Sequence, residues 1–257
     1  MYATRIAEGA GRVRDSGGGS TVADVEAVSI FAVPERQGRG PKPAYSRAQI
    51  TEAAVRIADA DGLEAASMRR IAAELGTGAM SLYRYVPSRD DLIELMYDHV
   101  VGTLEIPDRP TGDWRADLRL VARNTREMWL AHPWVADLHR ARPTFGPNQL
   151  RITEFGFGAL DVGIPVDDII TLVTMLNGYV VMTVRAEIEW ERERRRSGLT
   201  MQDWMRQSSP YVQRLLDGGE HPMFARVVKD ASLPHMDHEA QFAYGLERVL
   251  DCIASCL

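Results

Sequence analysis

The sequence predicts an all-α protein in two parts, a small three-helix domain built on a helix-turn-helix and a larger helical body. Three features point there. Apolar residues between Tyr45 and Val100 recur at helical spacing and are punctuated by glycines. One of those glycines, Gly76, lets the chain reverse between two short helical segments. From Thr111 onward the period stays helical, with no alternating run of the kind that marks a strand.

The chain has 257 residues, room for both parts, and its 45% hydrophobic and 26% charged residues are those of an ordinary globular protein. A net charge of −6 argues against a protein that coats nucleic acid or anionic membrane indiscriminately. It leaves room for a local basic face. Arg36, Arg39, Lys42 and Arg47 follow one another with no acidic residue between them. Residues 1–44 hold Gly17, Gly18 and Gly19 in a row, then Pro34, Pro41 and Pro43, and sustain no period. They read as a disordered extension whose last third is a basic arm, with Ile30 to Val33 an apolar run that lacks partners.

Ser46 caps the first helix, in which Ile50, Ala53, Ala54, Ile57 and Ala58 form one apolar stripe and Gly62 supplies the stop. Ser67 caps the second, with Met68, Ile71, Ala72 and Leu75 apolar. After Gly76, residues Thr77 and Gly78 open a short third helix that Pro87 closes. At about 100° per residue, Leu82 and Val86 face inward and Met80, Ser81 and Arg84 face outward, with Tyr83 and Tyr85 on the flanks. Such a face suits a major groove. Ser81 and Arg84 reach base edges, Ala79 or Met80 a thymine methyl, and the tyrosine hydroxyls the phosphates. Ser88, with Asp91 three residues on, caps a fourth helix carrying Leu92, Ile93, Met96 and Val100, which Pro107 and Pro110 end. Arg89 at its start points toward the same surface to hold a phosphate.

These residues closely resemble the DNA-binding domain of TetR-family transcriptional regulators. The matching elements are the Ala-rich first helix with Gly62, Ser67-Met68-Arg69-Arg70-Ile71-Ala72, Leu75-Gly76, Ser81-Leu82-Tyr83-Arg84-Tyr85-Val86 and Ser88-Arg89-Asp90-Asp91-Leu92. The resemblance implies a reading domain over residues 45–91, a helical ligand-binding and dimerisation domain over 92–257, and a homodimer on a palindromic operator. It places phosphate contacts on Tyr83, Tyr85 and Arg89, with Arg69 near the backbone. Groove-facing positions fall on Thr77, Gly78, Ala79, Met80, Ser81 and Arg84, and Lys42 and Arg47 add charge from the arm side.

In the body, Trp114, Leu118, Val121, Ala122, Thr125, Met128 and Trp129 make an amphipathic helix that His132-Pro133-Trp134 breaks. Further helices are predicted over 148–162, from Pro165 to a charged end at 187–196, and near 201–216, 222–228 and 238–256. The apolar stretch Ile169–Val184 falls short of the ~18 apolar residues of a membrane span. A buried or dimer-interface helix accounts for it, and no membrane partner is expected. The charged end reads as a solvated face. This half resembles the tetracycline-repressor type, in which two late helices pair with their copies. Phe242, Leu246, Val249, Leu250 and Ile253 would form the last helix's seam. Tetracycline repressors bind a drug–magnesium chelate through a histidine near the end of the fourth helix, where this chain has Gly102-Thr103.

A small-molecule pocket would draw on Met128, Trp129, His132, Trp134, Phe145, Asn148, Asn177 and Tyr179, which mix apolar walls with a few polar groups. Cys252 and Cys256 form no disulfide framework and read as two small buried side chains in a reducing cytosol. There is no leader-like apolar run near residue 1. His235, His238 and Glu239 lack a third metal ligand at persuasive spacing, and no nucleophile set or phosphate loop appears. The expectation is a cytoplasmic ligand-released repressor, not an enzyme, with no cofactor or metal. The alternative is a regulator that binds DNA constitutively or activates, without an effector.

Overall fold

The computed structural model describes residues 29–34, 45–138, 145–231 and 237–257. Among these residues there are ten α-helices and no strand. They are α1 (Arg47–Asp61), α2 (Met68–Glu74), α3 (Ala79–Leu82), α4 (Arg89–Val101) and α5 (Trp114–Ala131), then α6 (Pro147–Ala159), α7 (Val166–Ser197), α8 (Met201–Asp217), α9 (Pro222–Asp230) and α10 (His238–Ala254). Three short 3-10 turns lie at Ile30–Ala32, Leu63–Ala65 and Pro133–Asp137.

Local chemistry sets the first four helices. Ser46 and Gln49 satisfy each other's amides in a capping box, and Ser88 and Asp91 repeat the device at α4. α1 stops at Gly62, whose φ of +86° is cheap only for glycine. α2 ends in a Schellman motif. Gly76 takes φ +70°, its amide donates to the Ala73 carbonyl at 3.2 Å, and the Thr77 amide donates to Ala72 at 2.8 Å. The Tyr45 hydroxyl donates to the Leu75 carbonyl at 3.1 Å and pins that turn to the start of α1. Beneath it, Ile50, Ala53, Ile71, Leu82 and Val86 are all completely buried, so the short α3 owes its place to the core under it.

Leu92, Met96 and Val100 bury the predicted face of α4. The helix stops at Val101, well before Pro107. The amides of Gly102, Thr103 and Leu104 donate to the carbonyls of Asp98, Val100 and Val101, closing a turn that the prolines had no part in. α4 is fastened at both ends. At its start the Arg89 guanidinium donates to the carbonyls of Ala66 and Leu63, each at 2.8 Å. Toward its end the buried Asp98 carboxylate accepts from the amides of Asn148 and Gln149, each at 3.0 Å, in the first turn of α6. A negative group meets the positive end of a helix dipole there. Only glycine fits at position 146, because a Cβ would lie 2.1 Å from Asp98 Oδ1.

Residues 1–28 and 35–44, including Lys42 and most of the basic arm, lie outside the described residues. The apolar run at Ile30 is not without partners. Ile30 is buried, its 3-10 turn packs on α4, and Arg47 donates to the carbonyls of Val33 at 2.6 Å and Ile30 at 3.3 Å.

The body is organised on α7, which buries Ile169, Leu172, Leu176, Val180, Val184 and Ile188 and packs on α5 and α10. Within α7 an 18-residue window has a mean hydropathy of 1.5 and is 28% buried, so by length and composition it does reach membrane-span range. Its inner face is nonetheless a core face. Phe242, Leu246, Leu250 and Ile253 of α10 are likewise buried inside their own chain, with Val249 half-buried, and so are not a free seam for a second copy. At residue 245 the two helices meet closely: a Cβ there would fall 2.3 Å from the Tyr179 hydroxyl, which donates to the Phe242 carbonyl at 2.8 Å.

Arg126 of α5 is 8% exposed. It pairs with Glu187 of α7 at 2.9 Å and with Glu239 of α10, and its guanidinium lies 5.3 Å from the centre of the Phe242 ring. The charged end of α7 is thus more than a solvated face. Glu187 reaches inward, and Arg192 donates to the Pro133 carbonyl at 3.1 Å and to Asp137. Both cysteines are exposed, contrary to the buried reading, and Cys256 lies beyond the end of α10.

Arg126→Met leaves Glu187 facing the interior without its cation, and urea unfolding is expected to show a loss of about 3 kcal/mol. Glu247 gives a pH prediction. Hydrogen bonds from Arg119 and then Arg115 hold its carboxyl at about 2, below the ordinary 4.5. A pKa lowered by folding adds stability that is full above the unfolded value and lost as pH falls toward the folded one. The melting temperature of Glu247→Gln should therefore lie below that of the parent at pH 7, with the gap closing between pH 4.5 and about 2.

Candidate nucleic-acid interface

α3 and the turn that follows it present a small set of unengaged groups. Met80 is 79% exposed and Tyr83 43% exposed, Arg84 is exposed, and Ser81 is half-buried. Arg84 and, at the start of α2, Arg69 are both exposed and have no partner among the described residues. Elsewhere on this domain arginines are taken up: Arg56 pairs with Glu74 at 2.7 Å and Arg70 with Asp61. The contrast separates Arg69 and Arg84 from the arginines of this domain that are paired among the described residues. Gly78 caps α3 in an extended conformation, and Ala79 and Thr77 are half-buried beside it, so these positions offer backbone and small contacts. Tyr85 is half-buried and packs against the core with its ring.

Two predicted phosphate contacts have other work. Arg89 turns its guanidinium onto the Leu63 and Ala66 carbonyls, and Arg47 directs Nε to the Tyr85 carbonyl at 2.9 Å as well as bonding Ile30 and Val33. Carbonyls left at the ends of short helices need donors, and a long forked cation within reach supplies them. Both arginines hold the domain together. Lys42 lies outside the described residues.

The eight residues assigned to a small-molecule pocket do not converge. Met128 and His132 share a cleft of about 490 Å³ between the end of α4 and α5, while Trp134 lines a different cleft of about 630 Å³ at the junction of α1, the Pro133 turn and α7. Trp129 is buried, and its indole N–H finds no acceptor. Phe145 is 61% exposed and Asn177 is exposed on the outer side of α7. Asn148 is used on Asp98, with its amide nitrogen 3.0 Å from Oδ2, and Tyr179 is used on α10, where burial pushes its phenol up. His132 and Trp134 both bond Asp59 of α1. Asp59 and Asp98 escaped the sequence reading because each is one of many acidic residues on a helix. Only the fold shows what faces them. Of the three residues weighed and set aside as metal ligands, His235 lies outside the described residues, and Glu239 is engaged by Arg126.

A helix-turn-helix with an arginine just past its outer helix that has no partner among the described residues, carried by a larger helical body, defines a DNA-binding regulator of two-part construction. Comparison with known proteins agrees over nearly the whole chain. Residues 50–96 match the family described as "Bacterial regulatory proteins, tetR family", and residues 106–257 match "Tetracyclin repressor-like, C-terminal domain". The HTH-type transcriptional repressor DrrR1 of Streptomyces coeruleorubidus is 38% identical over 244 residues, 94% of this chain and 88% of that protein. An HTH-type transcriptional regulator of Saccharopolyspora erythraea is 36% identical over 166 residues, 64% of this chain and 70% of its own length. Among solved structures, apo ActR of Streptomyces coelicolor superposes with a TM-score of 0.69 at 26% identity, covering 82% of this chain and 96% of ActR. ActR in complex with actinorhodin gives 0.66 at the same identity, again covering 82% of this chain and 96% of ActR. The chain belongs to the TetR family of transcriptional regulators.

The face makes a separable prediction. Arg84→Ala should relax discrimination between related duplexes by about tenfold or more, whereas Tyr83→Phe should weaken binding to all of them alike. Parallel titrations of matched and single-mismatch duplexes at one salt concentration read the difference.

Proposed function

We propose that the protein is a homodimeric repressor that binds a palindromic operator in the cytoplasm and is released by a small, largely apolar effector. The observation that carries DNA reading is the exposed Arg84, without a partner among the described residues, in the turn after α3 and beside exposed Met80 of that helix. Ser81, Thr77, Gly78 and Ala79 add groove contacts, Tyr83, Arg69 and Tyr85 meet the backbone, and Arg47 and Arg89 shape the face from behind.

Dimerisation is supported by what the chain leaves uncovered. The outer side of α7 exposes Ile170, Met175 and Met182 around the small Gly178, on the face opposite its buried stripe. A second copy applied there would cover apolar surface that none of the described residues covers. Two α3 helices would then stand about 34 Å apart, one helical turn of DNA, which matches a palindrome. Effector release is supported by likeness to ActR, which has been solved with actinorhodin and with (S)-DNPA. The body also holds open clefts. By linkage, an effector that weakens operator binding must itself bind more weakly in the presence of operator, by the same factor.

A footprint on DNA flanking the protein's own gene tests this, run beside light scattering of the complex and followed by an effector screen. A protected palindrome occupied by two chains, lost on addition of an effector, is the expected result. A single chain on an asymmetric site, or protection that no small molecule relieves, would overturn the dimeric and the effector-released parts respectively.

A further inference from the structure

The reading domain meets the body at a second place besides α4. Asp59, in the last turn of α1, has one carboxylate oxygen, Oδ1, that accepts from Trp134 Nε1 at 2.8 Å and lies 2.8 Å from His132 Nδ1. A carboxylate only accepts, so Nδ1 carries the proton of that bond. Both donors belong to the body: His132 ends α5, and Trp134 stands in the 3-10 turn that follows. Trp134 is 1% exposed, so Asp59 is tied on that side to a group the core holds fixed.

The contact stands between two clefts. On one side the cleft of about 630 Å³ is lined by Ala58, Asp59 and Gly62 of the reading domain and by Pro133, Trp134 and Trp190 of the body. The two parts are therefore joined there by hydrogen bonds beside a gap, at the margin of a core to which Ala58 and Trp134 both belong. On the other side the cleft of about 490 Å³ is lined by Leu104, Leu120, Asn124, Met128 and His132. His132 thus borders an open cleft of the body while its ring holds Asp59. From Asp59 the connection continues along α1 to Arg47, which donates to the carbonyl of Tyr85 at the end of the reading segment.

We infer that Asp59 is the positioning residue through which the body sets the angle of the reading domain, and that His132 is the moving part. A molecule filling the α4–α5 cleft displaces the imidazole, removes one of the two bonds on Asp59 Oδ1, and lets α1 tilt about the bond to Trp134 that remains. α3 follows because Arg47 links it to α1. This route rests on the effector-released reading above and names its transmission.

The test uses the full chain with Cys252→Ser and Cys256→Ser, carrying spin labels at the exposed positions Glu52→Cys and Asp161→Cys. Labelled chains are diluted with unlabelled ones, so that the measured distance lies within one chain. The parent should give one narrow distribution, and Asp59→Ala and His132→Ala should broaden or shift it. Asp59→Asn, which keeps an oxygen to accept from Trp134, should fall between. Affinity for the best duplex from random-site selection should drop about tenfold in Asp59→Ala. A lower melting temperature with an unchanged distance distribution would overturn the inference, leaving Asp59 a purely stabilising residue. A broadened distribution with unchanged duplex affinity would overturn it equally. If the parent selects no duplex, the regulator reading is what fails, and the label distances still decide whether Asp59 holds the two parts in register.

Discussion

The architecture depends on α4 being gripped at both ends by charged groups that satisfy backbone atoms. Arg89 bonds two carbonyls behind the turn between α1 and α2, and Asp98 takes the first amides of α6. The amides of Asn148 and Gln149 are first-turn donors without a helical acceptor, and the Leu63 carbonyl takes Arg89 in addition to the Ala66 amide, so each bond is charge-assisted and directional. A helix held in this way transmits displacement as a rod does. Apolar burial of Leu92, Met96 and Val100 adds adhesion along its length. Apolar contact has no preferred direction, however, and the directional bonds at the two ends define where the rod points.

The same logic recurs across the body. Arg126, 8% exposed, sits between α5, α7 and α10 with a carboxylate from each of the last two. Glu247 on α10 draws Arg115 and Arg119 of α5 together. These polar nodes fix the register of helices whose facing surfaces are otherwise interchangeable Leu, Ile and Val. The reading face follows the opposite rule. Its Arg84 and Arg69 have no partner among the described residues, which leaves them available to groups on another molecule.

Local pattern sufficed for much of the fold. Ser46, Gly62, Gly76 and Ser88 mark helix ends through their own backbone preferences, which hold whatever the chain does elsewhere, and the structure puts each where the spacing predicts. The inward Leu82 and the outward Met80 follow from helical period, but the helix expected to run on to Pro87 ends at Leu82, and Arg84 and the buried Val86 owe their places to the turn beyond it. Period assigns an apolar stripe to an interior but does not say whose interior. That is why Phe242, Leu246, Leu250 and Ile253 read equally well as a seam between copies and as the core they form within the chain.

For this chain, then, sequence by itself determined the element boundaries near the reading unit, the faces of its helices and the family to which they belong. These depend on dihedral preference, capping and spacing over a few residues. Tertiary structure decided which polar groups meet. It turned Arg47 and Arg89 inward onto carbonyls, set His132 and Trp134 on Asp59, and dispersed the eight residues assigned to one pocket. The physical reason is range. A hydrogen bond between residues 73 or 75 positions apart, as at Asp59, exists only after both helices are packed, and no pattern along the chain encodes it.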